Sequence, residues 1–114
     1  MNEQVKEYLE KYPEEIRELY GRLRQLILDA SSQVEPEEQL WTKLPSYTVG
    51  EKFVRLIPFR DHINVEARAI LEHKYELAGY KLTPKGMLQL GLKQEIPASL
   101  LRTIFEETLI DTEK

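Results

Sequence analysis

The segment from Trp41 to Glu66 constrains the fold of this chain more than any other part of the sequence. Apolar and polar residues alternate within it, which is typical of β-strands. Gly50-Glu51 suits a two-residue hairpin, because glycine accepts the positive φ that the first position of a type II′ turn requires. Arg60-Asp61 is a second, weaker turn signal. The segment therefore predicts a meander of short antiparallel strands.

Helical periodicity surrounds this meander. It predicts a short helix that ends at Pro13, a longer helix from Pro13 to about Ala30, and a last helix that begins at Pro97. It also predicts a helix from Ala67 to Ala78. Gly79 would then take the left-handed conformation that commonly ends a helix.

A further strand is predicted from Met87 to Leu92, after the turn at Pro84-Lys85-Gly86. The order of elements predicts an α+β fold, a two-layer sandwich in which N-terminal and C-terminal helices flank a mainly antiparallel sheet. The central apolar residues of the two longest helices should pack on one face of that sheet. These residues are Leu23, Ile27, Leu101, Ile104 and Phe105.

Composition narrows the possible functions. The 114 residues fall within the size of one domain, so we expect a single domain over 1–114. The net charge of −4 comes from interspersed acidic and basic residues, which gives no basic surface for nucleic acid. Cysteine is absent, which excludes disulfides and thiolate sites. Without a signal-peptide pattern or a membrane-length apolar run, we expect a cytoplasmic protein that binds no membrane.

Several short motifs follow one another in a distinctive order. They are Trp41 to Tyr47 with Leu44-Pro45, Phe53 to Phe59 leading into His62-Ile63, Ala78-Gly79-Tyr80, Thr83-Pro84-Lys85-Gly86, and Glu95-Ile96-Pro97 before Leu100-Leu101 and Ile104. In order and spacing they resemble the YdhG-like family of small bacterial domains, over nearly the whole chain. The resemblance implies a helix-flanked antiparallel sheet. Because some members are described as frataxin-like iron chaperones, it also implies weak iron binding and delivery to an iron-accepting protein.

Two acidic surfaces are the candidate iron sites under this resemblance, because hard carboxylate oxygens suit iron better than soft metals. Lys and Arg are interspersed among these carboxylates, so a salt-bridged, solvated helix surface is the alternative. His73 and Glu76 share a helix face, and we interpret them as exposed rather than as half of a di-iron motif. The candidate metal ligands are Glu14, Glu15 and Glu18 in one helix and Glu106, Glu107 and Asp111 in the other.

The alternative function is a cleft for a small anionic or aromatic ligand. Trp41, Pro45 and Tyr47 would line it, with His62 as a hydrogen-bond donor and Lys85 as the cation. A structural interpretation also holds, since large aromatic side chains mostly pack and His62 could order the adjacent turn. No Ser-His-Asp arrangement can be assembled from the order of the segments. We therefore predict a binding or carrier protein rather than an enzyme.

Overall fold

A computed structural model describes residues 1–110 of the chain. Two helices come first, followed by four consecutive strands, a 3-10 helix, two further strands and a last helix. In order, the elements are α1 (Glu3–Leu9), α2 (Glu14–Ala30), β1 (Glu37–Trp41), β2 (Leu44–Val49), β3 (Lys52–Pro58), β4 (His62–Ala67), a 3-10 helix (Arg68–His73), β5 (Lys81–Leu82), β6 (Leu88–Gly91) and α3 (Ala98–Leu109).

The six strands form one sheet in the order β1-β2-β3-β4-β6-β5, and each neighbouring pair is antiparallel. Helices α2 and α3 contact each other and pack on β3 and β4. This arrangement confirms the predicted α+β architecture. Every helix within residues 1–110 is too short or too polar to span a bilayer.

Both predicted hairpins form. Gly50 has a φ of 62° in the turn between β2 and β3, as that turn requires. Arg60-Asp61 joins β3 to β4, and the Phe59 amide donates to the His62 carbonyl at 2.8 Å across the turn. A third hairpin was not predicted. It joins β1 to β2 at Thr42-Lys43, whose φ angles of 52° and 69° are uncommon for residues other than glycine.

The prediction of a helix from Ala67 to Ala78 is wrong. Ala67 is still part of β4, and only Arg68–His73 is helical, as a 3-10 helix. The helical spacing of apolar residues does not mark a buried helix face here. Leu71 is 55% exposed and Tyr75 is 85% exposed, so neither residue joins the core. Gly79 has no positive φ and does not form the expected left-handed cap.

One hydrophobic core lies between the helices and the sheet. The predicted core residues of α2 and α3, from Leu23 to Phe105, are all fully buried. Strand β3 contributes Val54 and Leu56 to this core. Between them Arg55 points to the opposite face, which we call the open face, and stays partly exposed because side chains alternate along a strand.

Candidate functional site

The five residues predicted to line one cleft lie in separate places. Trp41 lies on the open face at the end of β1, where it is 43% exposed. Pro45 and Tyr47 are buried on the other face of β2, toward the helices. His62 begins β4 beside the Arg60-Asp61 turn, whereas Lys85 is exposed in the turn before β6. The sheet therefore separates Trp41 from Tyr47.

His62 contacts the turn that precedes it. Its Nδ1 lies 2.7 Å from Asp61 Oδ1, and its ring stacks on Phe59 with centroids 4.4 Å apart. Phe59 itself is 42% exposed. His62 therefore contacts the turn, as its structural interpretation predicts, but through the Asp61 side chain and the Phe59 ring rather than through the expected hydrogen bond to backbone.

Tyr47 belongs to a buried polar network instead of a cleft. Its hydroxyl donates to Glu38 Oε2 at 2.8 Å and accepts from the Tyr20 hydroxyl at 2.7 Å. Arg24 Nε donates to the same carboxylate oxygen, and the Asn2 backbone amide donates to Glu38 Oε1 at 2.7 Å. The network thereby joins five residues from the start of α1, from α2 and from strands β1 and β2.

The network fixes the protonation of its members. Burial acts to raise the pKa of Glu38, but hydrogen bonds from Arg24, Asn2 and Tyr47 together hold that pKa below its ordinary value. Burial, reinforced by the neighbouring Tyr20, strongly raises the pKa of Tyr47. Glu38 is therefore the acceptor and Tyr47 the donor of their hydrogen bond.

Lys85 lines a cavity of about 390 Å³ at the end of the sheet where β3 begins and β4 ends. We call it the Lys85 cavity. Its apolar wall consists of Phe53, Ala67 and Leu71. Leu71 also closes against Gly86, where an added Cβ would lie only 3.2 Å from Leu71 Cδ1.

The Lys85 cavity has an excess of positive charge. Among residues 1–110, three cations line it, Lys52, Arg68 and Lys85, against two carboxylates, Glu51 and Glu66. Glu66 is already bonded to Arg55 at 3.1 Å, and Arg68 to Glu72. Lys85 forms no ion pair with any residue in the range 1–110.

The two candidate metal surfaces lie on different helices. Glu14, Glu15 and Glu18 are exposed along the first turns of α2, and Glu106 is exposed on α3. Asp111 lies outside the described residues. Among residues 1–110, no group of three His, Asp or Glu side chains is arranged to hold a metal ion.

The remaining candidate, Glu107, is hydrogen-bonded to a histidine. Its Oε1 lies 2.8 Å from His73 Nε2, while Glu76 contacts Nδ1 of the same ring. These hydrogen bonds, first that to Glu107 and then that to Glu76, raise the pKa of His73. The prediction of an exposed pair holds for Glu76, whose side chain is 61% exposed, and is wrong for His73, whose side chain is 16% exposed.

Sequence reasoning missed two residues that shape the Lys85 cavity. Phe53 was assigned to a strand without a role, and Leu71 to the buried face of a helix that does not form. They lie in different parts of the sequence, and no local motif connects them to each other or to Lys85. Lys85, predicted as the cation for an anionic ligand, is the one residue of the predicted cleft that lines this cavity.

Comparison with known proteins adds no further assignment. The chain matches no protein-family model, no curated protein and no solved structure. The resemblance to the YdhG-like family therefore stays a prediction from the motifs.

We expect Tyr47→Phe to destabilise the protein more than Tyr20→Phe. Loss of the Tyr47 hydroxyl leaves the buried Tyr20 hydroxyl without its partner and removes a donor to Glu38, which should cost about 1–3 kcal/mol. Tyr20→Phe leaves the Tyr47–Glu38 bond in place and should cost about 0.5–1.5 kcal/mol. Urea unfolding of both variants measures the difference, and equal losses would contradict this account.

We also expect His73 to make stability depend on pH. A raised folded-state pKa means that the folded protein binds the proton more tightly than the unfolded chain, whose histidine titrates at about 6.5. The stabilisation is complete below that value and is lost as the pH rises through the folded-state pKa. The unfolding free energy of the wild type relative to His73→Gln should therefore fall as the pH rises from about 6.5 through the folded-state pKa. A constant difference across that range would refute the role of His73.

Proposed function

We propose that this protein is a binding module for a small anionic ligand with an apolar body, which it holds in the Lys85 cavity without transforming it. One observation carries the proposal: an ammonium group with no ion-pair partner among residues 1–110 lines a cavity with an apolar wall. Small-molecule sites combine an apolar lining with a few placed polar groups in this way.

The apolar wall favours a ligand with a hydrocarbon or aromatic body. Leu71 is 55% exposed and Phe53 is partly exposed, so both retain surface that a ligand could cover. Burial of apolar surface is favourable by about 25 cal/mol for each Å² removed from water. The cavity volume of about 390 Å³ lies in the range of small-ligand sites, which begins at about 300 Å³.

The backbone around Lys85 is held firmly. The Gly86 amide donates to the Thr83 carbonyl at 2.9 Å, and the Met87 amide donates to Thr83 Oγ1 at 3.0 Å. Gly86 has a φ of 87°, a conformation that favours glycine. A fixed turn reduces the entropy lost when Lys85 contacts an anion, because only the side chain has to be ordered.

Phenylacetate is a suitable probe, because it joins a carboxylate to an aromatic ring. We expect it to shift the amide resonances of Phe53, Leu71 and Gly86, with affinity that falls about two- to fivefold in Lys85→Gln, as loss of one exposed ion pair predicts. Lys81→Gln is the matched control, since Lys81 is an exposed lysine outside the cavity. Uncharged phenylacetamide should bind the wild type more weakly than phenylacetate does. This difference between the two ligands should disappear in Lys85→Gln.

The proposal fails if phenylacetate shifts none of these resonances at millimolar concentration. It also fails if Lys85→Gln and Lys81→Gln weaken binding equally, because the effect would then come from net charge. Either result would leave the apolar wall without a ligand function.

Iron carriage, the function that the resemblance implies, has its own test. If it holds, ferrous or ferric iron should shift amide resonances near Glu14, Glu15 and Glu18 or near Glu106 and Glu107, and zinc should do so less. Replacement of the carboxylates of the responding surface, with Asp111 included in the second set, should abolish the shifts. Absence of iron-induced shifts at millimolar metal would reject the carrier function.

A further inference from the structure

A second cavity lies on the open face, separated from the Lys85 cavity by Phe53. It also measures about 390 Å³, and we call it the Trp41 cavity. Its lining includes Glu37, Gln39, Trp41, Glu51 and Phe53. Phe53 and Glu51 line both cavities, so the two sites are neighbours that share a wall.

The charge of the Trp41 cavity is opposite to that of the Lys85 cavity. Glu37 and Glu51 line it, and within the described part of the chain no Lys, Arg or His does. Neither carboxylate forms an ion pair with a residue in the range 1–110. Gln39 donates one weak bond, 3.4 Å to Thr48 Oγ1, which leaves its side-chain oxygen as a further acceptor. Acceptors and negative charge therefore dominate the lining.

The two aromatic rings of the cavity already interact with a cation. The Arg55 guanidinium carbon lies 4.7 Å from the centroid of Trp41 and 4.6 Å from that of Phe53. The rings themselves meet edge to face at 5.6 Å. Arg55 is neutralised by Glu66 at 3.1 Å, so its charge does not oppose a second cation strongly. Trp41 remains 43% exposed with Arg55 in place, which leaves aromatic surface for a ligand.

We propose that the Trp41 cavity binds an organic cation, an ammonium group carried on a small molecule. The carboxylates of Glu37 and Glu51 would supply the countercharge, and Trp41 and Phe53 the aromatic surface on which alkylammonium groups pack. Aromatic walls and carboxylates together are the combination that recognises such cations. The site is distinct from the proposed anion site, since it takes a ligand of opposite charge.

The cavity favours an organic cation over a metal ion. Its volume of about 390 Å³ far exceeds the roughly 30 Å³ that a single water molecule occupies in the liquid, so a bare ion would fill little of it. An alkylammonium group fills more of the space and removes aromatic surface from water. It also requires no fixed coordination geometry from the two exposed carboxylates.

Tetramethylammonium chloride is the probe for this site, and Trp41 is the reporter because it is the only tryptophan of the chain. We expect the probe to change Trp41 emission saturably and to shift the amide resonances of Thr48 and Phe53. Glu37→Gln should weaken binding about two- to fivefold, whereas Glu35→Gln, an exposed glutamate outside the cavity, should not. Trp41→Leu, followed by amide shifts alone, should weaken it further.

Sodium chloride at equal concentration provides the control for ionic strength. The proposal is overturned if sodium chloride reproduces the effects, if magnesium chloride saturates the same resonances at lower concentration, or if Glu37→Gln binds as the wild type does. Phenylacetate binding in Glu37→Gln separates the two sites, because Glu37 does not line the Lys85 cavity. Retained phenylacetate binding together with lost tetramethylammonium binding would support two independent sites.

Discussion

The carboxylate of Glu38 joins the start of the chain, helix α2 and strands β1 and β2 at one edge of the sheet. Its side chain is only 12% exposed, and it accepts hydrogen bonds from Asn2, Arg24 and Tyr47. The Arg24–Glu38 pair is partly buried, so loss of one partner should cost more than the roughly 0–1 kcal/mol typical of a surface pair. The Asn2 side chain also donates to the Glu38 carbonyl at 3.1 Å, which covers part of the exposed edge of β1.

This edge determines which face each aromatic residue of β1 and β2 occupies. Because Glu38 and Tyr47 pair across the strands and point toward the helices, alternation places Trp41 on the open face. A register shift of one residue would bury Trp41 and expose Tyr47. The polar network therefore fixes the register that makes Trp41 available for a ligand. The two cavities then follow from the position of Phe53 two strands away from this edge.

The strands were predictable where a local signal existed. Gly50 marked one turn, and the alternation through β3 and β4 set their faces correctly. The Thr42-Lys43 turn carries no glycine, asparagine or aspartate, so its positive φ angles had no signal in the sequence. The contacts of Glu38 reach residues up to 36 positions away, and spacing within one element cannot reveal them. The residues of the predicted cleft do not lie together in the structure. They were grouped without knowledge of the face of the sheet that each one occupies.

The 3-10 helix connects the fold to the Lys85 cavity. Leu71 has its place in the cavity wall because polar contacts attach this helix to α3: the Ala69 amide donates to Thr108 Oγ1 at 3.2 Å, and His73 contacts Glu107. The opposite wall contains Phe53 and belongs to the continuous sheet, so its backbone is less free to move. Ala69 and Ile70 also anchor the 3-10 helix in the core, but no strand ladder holds it, so its wall should open at lower cost than the wall formed by the sheet. Adaptation of the cavity to ligands of different size should therefore come from the 3-10 helix, and the charge state of His73 should influence how readily it moves.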